Sequence, residues 1–107
     1  MNFREAPAST EVEKHIIGGA FLFPESLSLV LERLQPEDFY LERHAVIFEA
    51  MRDLQTSGAA FGLQGLSHYL AAAGRLDSAG GDGYIMEISA EVVSDAGMEH
   101  HIGIVKD

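Results

Sequence analysis

Residues 74–84 read GRLDSAGGDGY and place Gly74, Gly80, Gly81 and Gly83 within ten positions. Glycines at that density can let backbone N–H groups close around a phosphate. Such a loop needs a strand entering it, a helix N-terminus leaving it and a Lys or Arg aimed at the anion. Here the preceding residues follow a helical pattern, Asp77 and Asp82 lie in the loop, and lysine is absent from it. Neither G-x-x-x-x-G-K-[ST] nor G-x-G-x-x-G occurs. The residues instead predict a connection between helices, with Gly74 as a C-cap, Leu76 plugging the core, and Gly80-Gly81 supplying positive φ.

The remaining chemistry-bearing residues are dispersed. His15, His44 and His68 stand singly, and His100-His101 are neighbours about 100° apart on a helix. No H-x-x-x-H or H-E-x-x-H pair exists, and with no cysteine the softer ligands are missing too. The histidines read as structural or solvated, with an adventitious metal contact at His100-His101 as the most they could offer. His15 lies four residues after Glu11, a spacing that predicts a surface pair. Glu37-Asp38 follows Pro36 directly and predicts a capped turn. Ser26, Ser67 and Ser94 lack a nucleophile-elbow context. The expectation is no catalytic residue, no cofactor-binding residue and no metal ligand.

Charge narrows the partners. Seven basic against seventeen acidic side chains give a net charge of -10. The cations (Arg4, Lys14, Arg33, Arg43, Arg52, Arg75, Lys106) never cluster. A field of this sign repels a phosphate backbone, so direct nucleic-acid binding is not expected. The longest nearly apolar run, IIGGAFLFP at 16–24, falls well short of the ~20 residues of a membrane span. Acidic Glu11 and Glu13 precede it, unlike the basic start of a signal peptide. The reading is a cytoplasmic chain with no membrane partner.

These residues must be positioned by helices. Residues 1–8 lack periodicity and predict a flexible arm; 9–107 form one helical domain. Thr10-Glu11-Val12-Glu13 fits a capping box, followed by Val12, Ile16, Ala20 and Phe23 at helical spacing. Gly18 and Gly19 fall mid-helix at a cost of about 1 kcal/mol each, so another helix is expected to pack closely there. Pro24 opens a second helix carrying Leu27, Val30, Leu31 and Leu34, which Pro36 stops. PEDFY is a turn expected to deliver Phe39 and Tyr40 to the core. The third helix carries Ile47, Phe48, Met51, Leu54 and Gln55 on one stripe and ends at Gly58. Leu63, Leu66, Tyr69 and Leu70 make a fourth helix closing at Gly74, and Ile85 and Ile88 a short fifth. Asp95 caps a sixth, with Met98, Ile102 and Val105 inward. No stretch alternates like a strand, so the fold class is all-α with six helices.

The pieces together resemble a known family. The chain carries E-x-x-x-x-G from Glu13 to Gly18. It then has PEDFY-x-x-x-H-x-x-IF from Pro36 through Asp38, Phe39, Tyr40 and His44 to Phe48. G-x-L-x-x-x-GG-x-x-Y follows from Gly74 through Gly80 and Gly81 to Tyr84. This order is similar to the N-terminal domain of the bacterial replicative DNA helicases, the DnaB family, over residues 9–107. The chain departs where the family has P-[IV]-D-[LV]-x-T-[LV]: proline, aspartate and threonine are replaced by Ala60, Gly62 and Gly65. Gly62 is the weaker cap, so the fourth helix is expected to start late or fray.

The resemblance implies a compact collar module of a hexameric helicase ring, truncated before a helical hairpin and the ATPase domain. It implies self-association in the parent hexamer, with primase and a helicase loader as protein partners. This fragment would not be an enzyme; ATP and Mg²⁺ would belong to the parent's ATPase domain. The double glycine would shape a turn that positions Tyr84. A partner interface is expected at Tyr84 and at whatever Met98, Ile102 and Val105 expose. Two alternatives stand beside this: a free-standing interaction module resembling the helicase-binding domain of primase, and a small enzyme using the glycine loop.

Overall fold

The computed structural model describes residues 7–58 and 62–106. Among them are six α-helices and no strand. They are α1 (Pro7–Leu22), α2 (Pro24–Arg33), α3 (Glu42–Thr56), α4 (Leu63–Ala72), α5 (Gly81–Glu91) and α6 (Met98–Lys106), with a 3-10 turn at Pro36–Asp38 between α2 and α3. Helix α1 is the central element, packed against α2, α3, α5 and α6. Its buried Ile16, Ile17 and Ala20 meet Val30 and Leu34 of the α2 region, Ile47, Phe48 and Met51 of α3, and Ile102 and Val105 of α6 in one core.

Gly18 and Gly19 explain how α1 can occupy that centre. A Cβ built on Gly18 would lie 2.5 Å from Val92 Cγ2, and one on Gly19 would lie 2.5 Å from Met98 Cε. The residue ending α5 and the residue opening α6 therefore press directly on the bare backbone, as the two adjacent glycines predict.

Several local expectations are corrected. Helix α1 begins at Pro7, so Thr10 lies inside it and is not an N-cap; residues 1–6 of the expected arm lie outside the described residues. Pro7 fits a first turn because its missing N–H is not required there. Glu13 is fully buried rather than folded back on the helix start. In PEDFY, Phe39 is buried and meets Phe48 with ring centroids 5.2 Å apart, but Tyr40 stays 50% exposed. Successive side chains leaving the turn point in opposite directions, so only one of the pair can enter the core. Gln55 is exposed, because the apolar stripe of α3 ends with the half-buried Leu54.

Helix ends follow elementary backbone chemistry. Pro24 opens α2 at its first turn. Asp38 closes the 3-10 turn by accepting the Gln35 N–H at 2.8 Å. Gly58 takes φ +78 directly after α3. Helix α4 starts at Leu63 behind Gly62, which offers no side-chain cap, and the replaced Ala60 lies outside the described residues. The start of α6 differs from expectation. Asp95 turns its carboxylate to α2, where Ser26 Oγ donates to it at 2.5 Å.

Candidate interaction surfaces and a buried polar tie

The glycine-rich segment is a folded connection. Arg75 N–H donates to Leu70 O at 2.8 Å, closing α4 around Gly74 at φ +71. The N–H of Gly80 donates to Asp77 O and that of Gly81 to Leu76 O, at 3.0 and 2.9 Å. Ala79 is fully buried, and Leu76 packs half-buried against the core. The amides of both paired glycines are thus used inside the turn.

Gly80 and Gly81 sit at φ +97 and +82. They differ in surroundings: a Cβ on Gly80 would meet the Tyr84 ring at 2.9 Å, whereas nothing lies within 4 Å of one on Gly81. Valine at Gly81 should therefore cost only the backbone strain, about 1–2 kcal/mol. Valine at Gly80 adds a collision and should cost about 3 kcal/mol. Chemical denaturation of both variants checks the order; equal losses would mean that the Tyr84 ring yields freely.

Tyr84 is held at the end of a buried polar chain. Glu13 and His44 are both fully buried. His44 Nδ1 lies 2.8 Å from Glu13 Oε1, and His44 Nε2 lies 2.6 Å from the Tyr84 hydroxyl. An ionised carboxylate only accepts, so Nδ1 carries the proton, and in the neutral ring Nε2 accepts from Tyr84. Glu13 also accepts the backbone N–H groups of Tyr40 and, at 3.3 Å, of Leu41. These amides precede the first turn of α3, whose N-cap Leu41 has no side-chain oxygen to offer. One carboxylate from α1 thereby fixes the approach to α3, and through His44 it fixes Tyr84 of α5. What the set does is join three helices.

Two cations border the Tyr84 ring, one of them held among carboxylates. The Arg43 guanidinium lies 4.8 Å from the ring centroid and Lys14 Nζ 6.0 Å from it. Burial pushes the Tyr84 hydroxyl above the ordinary tyrosine range, while Arg43 and Lys14 work against that rise. Burial opposes the charge on Lys14, but Glu87 and Glu91, each 3.2 Å away, outweigh it and hold its ammonium above the usual lysine range.

The other expected partner residues are placed differently. Met98, Ile102 and Val105 are 6%, 3% and 0% exposed, because α6 lies along α1 and turns all three into the core. They cannot form a docking surface in this arrangement. Half-buried Tyr84 retains an accessible edge. Among the described residues, the large apolar side chains that do face outward are Leu22, Tyr40, Met86 and Val93, at 40%, 50%, 56% and 81% exposure. A groove of about 520 Å³ runs between α2 and the α5–α6 connection, lined by Glu25, Ser26, Leu29, Asp95, Met98 and Glu99 among others.

Among the described residues, no group of three His, Cys, Asp or Glu side chains is arranged to hold a metal. His15 does not pair with Glu11; Lys14 does, at 3.8 Å, and His15 instead faces His101 with ring centroids 5.6 Å apart. Burial, then the neighbouring His15 and His100, hold His101 below the usual histidine range. A histidine lowered on folding binds fewer protons in the native state. Its contribution to stability is therefore lost as pH falls from about 6.5 through its folded value. Urea midpoints between pH 7.5 and 5.5 should fall less steeply for His101→Gln than for the parent; parallel profiles would refute the assignment.

Sequence reasoning on spacing alone does not find Lys14, Arg43 or the Ser26–Asp95 bond. Apart from Glu11 beside Lys14, their partners lie far away in sequence, and no local periodicity marks them.

Comparison with known proteins agrees with this architecture. Residues 5–107 match the model of the DnaB-like helicase N terminal domain. The chain is 36% identical over 104 residues to the replicative DNA helicase DnaB of Geobacillus stearothermophilus, covering 97% of this chain and 23% of that protein. It is 34% identical to the replicative DNA helicase DnaC of Bacillus subtilis, covering 100% of this chain and 24% of that protein. A crystal structure of the N-terminal domain of DnaB helicase from Mycobacterium tuberculosis superposes with a TM-score of 0.81 at 29% identity, covering 89% of this chain and 66% of that one. The chain thus spans about a quarter of the curated relatives' length. It belongs to the DnaB-like helicase N-terminal domain family.

Proposed function

We propose that this chain is the collar module of a hexameric replicative helicase, which pairs subunits in the ring and offers a surface to primase or a helicase loader. The observation that carries this reading is the match of residues 5–107 to the helicase N-terminal domain family, joined to the same all-α fold. The relatives are replicative DNA helicases of which this chain spans about a quarter. In the proposal the parent continues into a helical hairpin and an ATPase domain that uses ATP and Mg²⁺ to move on DNA. This head is not itself an enzyme. Its net charge of -10 and scattered cations favour protein partners over direct contact with nucleic acid. The setting is cytoplasmic; no described helix is long and apolar enough to cross a membrane. Tyr84, half-buried where Met98, Ile102 and Val105 are buried, is the residue of this set proposed to face a partner.

Sedimentation equilibrium tests the reading. The parent chain should form hexamers that respond to primase, and deleting residues 9–107 should lower the hexamer fraction and abolish that response. The head alone should be a monomer or weak dimer at micromolar concentration. Full assembly and full primase response without residues 9–107 would overturn the proposal.

A further inference from the structure

We propose that the histidine seam between α1 and α6 is a pH-sensitive latch, which in mild acid releases α6 ahead of the rest of the fold and uncovers its apolar face. Three of the chain's five histidines meet there. The ring of His15 on α1 lies 5.6 Å from that of His101 on α6, and the ring of His100 lies 6.2 Å from that of His101, centroid to centroid. Among the described residues, His44 is the one histidine paired with a carboxylate, and it lies elsewhere in the fold.

The charged groups on the surrounding elements have other partners. On α1, Glu11 sits 3.8 Å from Lys14, and Lys14 faces Glu87 and Glu91 of α5. On α2, Arg33 faces Glu99 of α6, and beyond the other end of α2 Asp38 faces Lys106. Asp95, in the connection before α6, accepts from Ser26. Glu25, Asp95 and Glu99 line the groove that His100 borders and soften its charge, which leaves the His15–His101 contact as the centre of the latch. The first turn of α6 holds His100 and His101, so the positive end of the helix also opposes a proton there. Burial, then His15 and His100, hold His101 below the usual histidine range. A site that binds its proton less well docked than released is opened by protons. The docked form therefore loses stability as pH falls from about 6.5 through the docked value of His101.

Helix α6 is the element such a push can move. It has nine residues, too few to hold a helix without support. It packs on α1 with a smaller contact to α2, whereas α1 is enclosed by four helices. Its buried side chains are Met98, Ile102 and Val105. Its ion pairs, Arg33–Glu99 and Lys106–Asp38, lie at the surface and add little. Gly97, at φ +76 directly before α6, supplies a pivot, and the Ser26–Asp95 bond holds the connection behind that pivot in place. Local opening of so lightly held an element lies at the low-energy end of native fluctuations. Turning out from Gly97, α6 exposes the three apolar side chains that the docked form closes to any partner. The latch goes beyond the collar reading and does not rest on it.

The test is amide hydrogen exchange on the ¹⁵N-labelled 107-residue chain at pH 7.5 and 5.5, each amide read against its intrinsic rate at that pH. Between the two, protection at Ile102, Ile104 and Val105 of α6 should fall about three- to tenfold more than at Ile47, Phe48 and Met51 of α3. His15→Gln and His101→Gln should each remove most of that difference. His68→Gln, at an exposed site on α4, should leave it intact. An equal loss in α6 and α3 would mean that acid unfolds the domain as a whole, and the latch would be wrong. Unchanged α6 protection in acid would overturn it too, as would a selective loss that survives His15→Gln combined with His101→Gln.

Discussion

Replacing Glu13 with alanine should destabilise the domain by about 3–5 kcal/mol, the cost of breaking a buried charged hydrogen-bond set from one side. At this chain length the loss corresponds to a fall in Tm of about 15–30 °C. The carboxylate accepts from His44 Nδ1 and from the N–H groups of Tyr40 and Leu41, in a site closed to solvent. Alanine would orphan all three donors at once, and each buried unsatisfied donor costs about 1–3 kcal/mol. Glutamine fills the same space but can accept through only one of its two terminal atoms, so Glu13→Gln should lose about half as much. His44→Ala should cost markedly less in the Glu13→Ala background than alone, with a coupling of at least about 1 kcal/mol. Glu11→Ala, two residues away and exposed, should stay within about 0.5 kcal/mol. A Glu13→Ala variant within 1 kcal/mol of the parent would show that water satisfies those donors and that the tie is incidental.

Glu13 also shows where reading the chain by pattern succeeds and where it stops. Six helices were legible because each buries a stripe at helical spacing, such as Ile47, Phe48 and Met51 on α3 or Leu66 and Leu70 on α4. Thr10 and Glu13 satisfy a capping-box pattern, yet α1 starts earlier and Glu13 points inward. The partners that decide its role lie 27 to 31 residues onward, and a local rule has no access to them. Asp95 misleads for the same reason: it is spaced as a helix cap, but Ser26, 69 residues earlier, takes its carboxylate. Tyr40 lies beside Phe39 in one short turn, and only the tertiary course of the chain decides which of two adjacent aromatics is buried. Resemblance placed Glu13, His44 and Tyr84 in a shared motif without saying that they touch; the geometry supplies that link.

The paired glycines of α1 allow the sharpest separation of packing from propensity. Changing glycine to alanine inside a helix is worth about 1 kcal/mol in favour of the variant. Both Gly18 and Gly19 sit mid-helix, so propensity alone makes Gly18→Ala and Gly19→Ala equally stabilising. Their neighbours break the symmetry. At Gly18 the new methyl would lie 2.5 Å from Val92 Cγ2 and 2.6 Å from Val92 Cβ, the branch point of a side chain whose backbone ends α5. Neither atom can move away without moving the end of that helix, because a β-branched residue has little χ1 freedom. Overpacking of this kind costs about 1–3 kcal/mol, enough to cancel or exceed the propensity gain. At Gly19 the obstacle is Met98 Cε, the tip of a flexible unbranched chain, with Asp95 Cβ next at 3.5 Å. A methionine tip turns aside at small cost. Gly18→Ala is therefore expected to lose up to about 2 kcal/mol and Gly18→Val more, while Gly19→Ala should be neutral or gain up to about 1 kcal/mol. Adding Val92→Gly should recover most of the Gly18→Ala loss relative to Val92→Gly alone, since the Cγ atoms and the Cβ that crowd the new methyl are then all gone. Equal stability changes at the two glycines, or no recovery with Val92→Gly, would mean that α5 shifts as freely as a methionine side chain, and the close approach on α1 would not be what seats that helix.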